Sequence, residues 1–158
     1  ELEAVDNYIY ILNVRFAGDI HFSKKVECDV ENVRVPSMIL QPVVENAVNH
    51  GIRNIDWEGH IDLSVEKWND HIEISVRDNG LGMTGEQIQR VLSKKVHSSS
   101  GEGDSTGIGM NNVISRLELY YERDGLMEIY SEGEGMGTEV VINIPLERSE
   151  KNVQNPDC

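Results

Sequence analysis

The chain has 158 residues, 39% of them apolar, which suits one domain built on one core. Asp and Glu number 28 against 14 Lys and Arg, a net charge of −14, and with no basic stripe this argues against nucleic acid as a partner. A nucleotide ligand is still compatible, because fields beyond roughly 8 Å are screened at physiological salt, but a cation or local donors must then neutralise its phosphates.

Leu2, Val5, Ile9, Leu12 and Phe16 alternate spacings of three and four, a two-heptad helical seam ending at Gly18. The seam suits packing on the chain's own body and suits a longer dimerising helix equally. In "IHFSKKVECDV", Ile20, Phe22, Val26, Cys28 and Val30 share one parity and polar residues fill the other. That predicts a strand, or two short ones, with one wet face. Cys28 and the terminal Cys158 are the only cysteines and read as reduced thiols of a cytosolic protein. Pro36 can open the next helix at its first turn, and Pro42, deeper, should kink it.

"HIDLSVEKW" and "IEISVRD" alternate with period two around the turn "NDH", an antiparallel hairpin. "TGEQIQRVLSKK" reads as a short helix and residues 98–107 as a flexible loop. Met110, Val113, Ile114, Leu117 and Tyr121 repeat at helical spacing. "LMEIYSEG" and "GTEVVINIPL" form a closing hairpin, and the polar tail from Glu147 is expected to be disordered. This order predicts an α+β fold, a two-layer sandwich of a mixed, mainly antiparallel sheet with helices on one face. No apolar run approaches the roughly 18 residues of a membrane span. The chain opens on Glu1 rather than Met, so it reads as a piece of a longer protein, with room upstream for a membrane anchor.

Seven of the fourteen glycines fall between Gly80 and Gly109, where the backbone must turn tightly or approach a ligand. Asp78 continues the row of Ile72, Ile74 and Val76, which puts a carboxylate at the end of a buried face. It needs a donor there; an exocyclic amino group such as that of adenine serves, and so does the start of the next helix. "STGIGMNN" sets a G-x-G at a helix mouth, a place for phosphate or an ordinary glycine-rich loop. Neither a P-loop nor a dinucleotide-binding fingerprint is present.

In "LQPVVENAVNHG" the helical wheel separates Leu40, Val43, Val44, Ala47 and Val48 from a polar stripe of Glu45, Asn46 and Asn49. His50, at the border, reads as structural. An Asn amide oxygen suits a hard cation such as Mg²⁺, which takes one or two protein ligands beside phosphates and waters. A neighbouring carboxylate can orient or deprotonate a nucleophile.

Taken together, "LQPVVENAVNHG", "DNGLGM", "TGIGMNNVISRL" and "GTEVVINIP" resemble the N box, the two glycine boxes and the closing strand of the GHKL ATPases. The resemblance, from about Leu2 to Pro145, is to the catalytic ATP-binding domain of sensor histidine kinases of the YesM-like group. It implies ATP and Mg²⁺ as ligands. Asn46 would hold the metal, Glu45 would assist the nucleophile, and Asn49 would lie near the phosphates. Asp78 would accept from the adenine amino group, with Gly80, Gly82 and Met83 closing over the base and Thr138 beside it. Gly107, Gly109 and Met110 would hold the phosphates, and residues 93–106 would form a lid. Residues 1–17 would end the helix of a dimerisation and phosphoacceptor hairpin, 18–146 would be the catalytic domain, and 147–158 a tail. The implied partners are that upstream hairpin, a response regulator, and a second copy in the full-length homodimer, the isolated piece being a monomer. The implied location is the cytoplasmic side of a membrane-anchored receptor. Two features depart from the family pattern. Asn49 stands where a Lys is common, leaving charge neutralisation to Mg²⁺ or to Lys94, Lys95 and His97. The phosphoacceptor His segment is absent from the chain.

Overall fold

The computed structural model describes residues 1–15, 20–27, 30, 33–93 and 105–146, the side chains of 105–107 excepted. The elements run α1 (Leu2–Arg15), β1 (Ile20–Val26), α2 (Leu40–Asn46), a π-helical segment (Ala47–Ile52), β2 (Gly59–Lys67), β3 (His71–Asp78), α3 (Gly85–Leu92), α4 (Ser105–Tyr121), β4 (Met127–Tyr130) and β5 (Thr138–Pro145).

The strands form one sheet in the order β1-β2-β3-β5-β4. β1 and β2 run parallel and every other pair is antiparallel. Period-two alternation gives the sheet one buried face: Ile61, Leu63 and Val65 of β2, Ile72, Ile74 and Val76 of β3, and Val140, Ile142 and Ile144 of β5 all enter the core. Burying each such side chain contributes about 1.5–3 kcal/mol relative to exposure. The helices supply Val43 and Val44 of α2 and Met110, Val113, Ile114 and Leu117 of α4 to the same cluster. The mixed α+β architecture expected from the sequence is thus present.

The seam of α1 is buried on the body, with Val5, Ile9 and Leu12 in the core and α1 packed on α2 and β1. Its outer side leaves Tyr10, Ile11 and Val14 exposed. Phe16, Gly18, Cys28, Cys158, the segment 94–104 with Lys94, Lys95 and His97, and the tail from 147 lie outside the described residues.

Three local expectations need correction. β1 ends at Val26, itself exposed, so Val30 lies outside it; a second short strand would fall across Cys28, which is outside the described residues. α2 begins at Leu40, so Pro36 lies before the helix and Pro42 falls in its first turn. A missing N–H costs nothing there and no kink is required. α4 begins at Ser105, not at Met110, so Gly107 and Gly109 sit inside its first turns rather than before it. Glycine weakens a helix by roughly 1 kcal/mol without forbidding it, and the amphipathic run that follows carries the helix back through them.

Candidate functional site

Strand parity delivers Asp78 to the end of the buried face of β3, where it is 6% exposed. Its register partner on β5 is Thr138, buried to the same degree. Asp78 Oδ1 accepts from the N–H of Gly80 at 2.9 Å. Burial pushes this carboxyl up to about 6, against the opposing pull of the Gly80 and Thr138 backbone N–H groups. Asp78 does not cap the next helix. Thr84 does, its Oγ1 accepting from Gln87 N at 3.2 Å while Gln87 Oε1 accepts from Thr84 N at 2.8 Å.

Backbone contacts hold the loop after Asp78. Leu81 N donates to Gly51 O at 2.9 Å, Gly137 N to Gly80 O at 3.1 Å, and Gly135 N to Leu81 O at 2.6 Å. Ser131 Oγ receives Met83 N at 3.0 Å and donates to Gly137 O at 2.6 Å. Any side chain at Gly80 would run into the Gly51 backbone. Gly82 adopts φ +73°, and a side chain there would strike Gly133 O as well. On the far side, Asn79 Oδ1 accepts from His60 N, and Asn79 Nδ2 donates to Glu58 O, both at 2.8 Å. These bonds leave the loop little freedom to drift from the edge of β2.

The other half of the site comes from α2 and the segment that follows it. After Asn46 the α-helix widens: Arg53 N donates to Val48 O at 2.9 Å, an i→i+5 bond. Single π turns of this kind recur at functional sites. Asn49 and His50 of this segment lie on the same side as Glu45 and Asn46. With Pro42, Gly109 and Met110 these four line a cavity of about 160 Å³. Gln41 Nε2 donates to Glu45 Oε1 at 2.9 Å and orients that carboxylate. Asn46 Oδ1 is buried and has no hydrogen-bond partner among the described residues. A side chain at Gly109 would meet open space, so the glycine keeps the cavity clear.

An unsatisfied buried amide oxygen is costly in a folded protein unless something else accepts its lone pairs. A hard cation fits Asn46 on that ground. Among the described residues no group of three or more His, Cys, Asp and Glu could hold a metal. A cation held by the Asn46 amide would draw most of its ligands from phosphates and waters, which is the habit of Mg²⁺.

Asp78 does not line this cavity; it is joined to it through Gly51, which packs on the Asp78 carboxylate. The expected residues therefore fall into two groups that meet at Gly51. Glu45, Asn46, Asn49, Gly109 and Met110 are on one side. Asp78, Gly80, Gly82, Met83 and Thr138 are on the other, gathered around the loop after β3. Met110 is 2% exposed and is a core residue whose edge reaches the cavity; Met83 is half-buried and packs on the core. Gly107 belongs to the first turn of α4, where backbone N–H groups have no partner within the helix. His50, expected to be structural, lines the cavity, and Gly51 and Ser131 carry contacts that no sequence motif assigned to them.

The chain is similar in sequence to sensor histidine kinases. The chain is 31% identical over 156 residues to the sensor histidine kinase YpdA of Escherichia coli K12, covering 94% of the chain and 24% of that protein. It is 31% identical over 152 residues to the sensor histidine kinase/phosphatase LytS of Staphylococcus aureus MRSA252, covering 96% of the chain and 25% of that protein. The chain thus spans about a quarter of the length of the relatives it matches. The fold resembles the mycobacterial sensor histidine kinase MprB, with TM-score 0.63 at 19% identity over 91% of this chain and 93% of that one. It also resembles the catalytic domain of histidine kinase ThkA, with TM-score 0.58 at 17% identity over 91% and 93% of the two chains. The YesM-like grouping stays an expectation drawn from the motifs. The family described as "Histidine kinase-, DNA gyrase B-, and HSP90-like ATPase" matches residues 34–148, most of the chain, and the protein belongs to that family.

Proposed function

We propose that the chain is the ATP-binding catalytic part of a sensor histidine kinase, with Mg²⁺-ATP seated across the π-helical segment. Its γ-phosphoryl group goes to a histidine on a helical hairpin upstream, and a response regulator takes the phosphoryl group from there. The observation that carries this reading is the buried Asn46 Oδ1, without a hydrogen-bond partner among the described residues, on a residue that lines a cavity with Glu45, Asn49 and Gly109.

In this reading Asp78 accepts from the exocyclic amino group of adenine, and Thr138 supplies the hydroxyl beside it. The loop from Gly80 to Met83 covers the base. The free N–H groups at the start of α4 face the phosphates, where the helix dipole favours negative charge. Asn46 holds Mg²⁺, which when bound neutralises the phosphates. Glu45, kept in place by Gln41, orients the incoming histidine and receives its proton. Asn49 contributes an amide in place of a positive charge, so no protein cation among the cavity residues opposes the phosphates except through His50. The reaction needs positioning and charge neutralisation more than covalent chemistry, and this set of residues offers both. The remaining parts of the receptor, its membrane anchor and its dimeric hairpin, are proposed on the strength of the relatives being sensor kinases.

The test supplies the upstream hairpin in trans with Mg²⁺-ATP. Acid-labile, base-stable phosphate on its histidine is the expected product. Nucleotide binding without any such product would reduce the chain to a nucleotide-sensing module and overturn the kinase reading.

A further inference from the structure

The helix that carries Glu45 and Asn46 has no cap of its own. Its N-cap position is Ile39, whose side chain cannot accept a hydrogen bond. The preceding Met38 adopts φ +60°, a left-handed conformation that is unfavourable for a residue with a Cβ. Both deficits are met by one residue nearly forty positions away. Glu1 Oε1 accepts from Met38 N at 2.7 Å, and Glu1 Oε2 accepts from Ile39 N and Leu40 N, each at 3.0 Å. Burial raises the Glu1 carboxyl, but the three N–H donors outweigh it and hold the group below the ordinary glutamate range.

We propose that Glu1 is a positioning residue for the nucleotide site: by capping α2 from the start of α1, it makes the seating of α1 set where Glu45 and Asn46 stand. This rests on the Mg²⁺-ATP reading above. Other contacts serve the same coupling. Asp6 of α1 pairs with Lys24 of β1 at 2.5 Å, tying the helix to the sheet edge. On the far side Arg116 of α4 donates to Ser37 O at 2.8 Å. The first turn of α2 is therefore gripped between α1 and α4, and a displacement of α1 withdraws the carboxylate that completes it. Any segment joined to α1 gains a mechanical route to the metal-side residues that reaches Asp78 and the adenine loop only farther along, through Gly51.

The test is calorimetry on the 158-residue chain, well below its melting temperature, with ATP in excess Mg²⁺ and with ATP in chelator. Glu1→Ala is expected to weaken Mg²⁺-ATP binding by about tenfold, the loss of one good helix cap, and to change the chelated titration far less. A merely structural cap would lower the melting temperature and leave both affinities alone, or weaken both equally; either result overturns the inference. Should Glu1→Ala not fold, Glu1→Gln retains one acceptor oxygen and is expected to show a partial, still Mg²⁺-dependent loss, with no loss overturning it. If the unaltered chain binds no adenine nucleotide at millimolar concentration, the nucleotide reading falls first, and this inference with it.

Discussion

Gly51 lies against the carboxylate of Asp78, so closely that a methyl group at position 51 would stand 2.8 Å from both Cγ and Oδ1. Through this contact the π-helical segment, which helps to line the cavity of Asn46, meets the buried acid at the end of β3. It also sets a strict limit on what residue 51 can be.

Gly51→Ala should accordingly cost more than a surface change. Overpacking a closed contact costs about 1–3 kcal/mol, and here the displaced group is the buried carboxylate itself. Urea unfolding is expected to show that loss, and calorimetry to show adenine-nucleotide affinity lost with it. An alanine variant that binds nucleotide as tightly as the natural chain would falsify the placement of adenine at Asp78.

Asp78 carries a cost when no ligand pairs with it. Its pKa is raised from 3.8 to about 6 by burial, so on raising the pH the unfolded chain gives up its proton first. Stability is therefore expected to fall between those two values and to stay at its reduced level above about 6. Asp78→Asn removes the ionisation and should stabilise the ligand-free protein near neutrality by on the order of 1–3 kcal/mol. Binding should move the opposite way. An ionised acceptor suits an amino-group donor, so natural affinity for adenine nucleotides is expected to decline as the pH drops below about 6. The Asn variant should bind weakly, discriminate less against guanine nucleotides, and lack this pH dependence in isothermal titration.

For Asn46→Ala, stability and activity should separate. An unpaired buried acceptor costs about 1–3 kcal/mol, so its removal should leave the unfolding midpoint unchanged or raised. Phosphoryl transfer to a hairpin in trans should be abolished. Retained transfer in a folded Asn46→Ala protein would remove the metal assignment.

Thr84→Ala supplies the contrast. Loss of the α3 cap should cost about 0.5–2 kcal/mol in thermal or urea unfolding. Because Thr84 caps α3 and Asp78 does not, nucleotide affinity should be unchanged. A marked loss of affinity would mean that the start of α3 belongs to the site.

Much of the architecture was legible because it is periodic. The alternation of Ile72, Ile74 and Val76 placed Asp78 on the buried face, and β3 carries it there. The polar stripe of Glu45, Asn46 and Asn49 was visible beside its core stripe, and those residues do share a cavity. Less was legible where the pattern changes its own rule. The wheel at 100° per residue assumes an α-helix throughout, so the wide turn at Ala47–Ile52 escaped it. The kink expected at Pro42 followed from starting the helix at Pro36, and the helix starts four residues later.

What the sequence determined by itself is local: which residues share a face, where chain reversals need glycine, and which side chains could serve a nucleotide. These follow from repeat lengths of two and about 3.6 residues, which need no knowledge of the rest of the chain. Tertiary structure alone decided that Glu1 caps α2, that Gly51 meets Asp78, and that Ser131 pins the loop at Met83. Each is a contact between segments distant in sequence, and neither partner carries a periodic mark of the other. Such pairs form only when burial of the common core brings the segments to one place, and the close fit is set there by excluded volume and hydrogen-bond geometry.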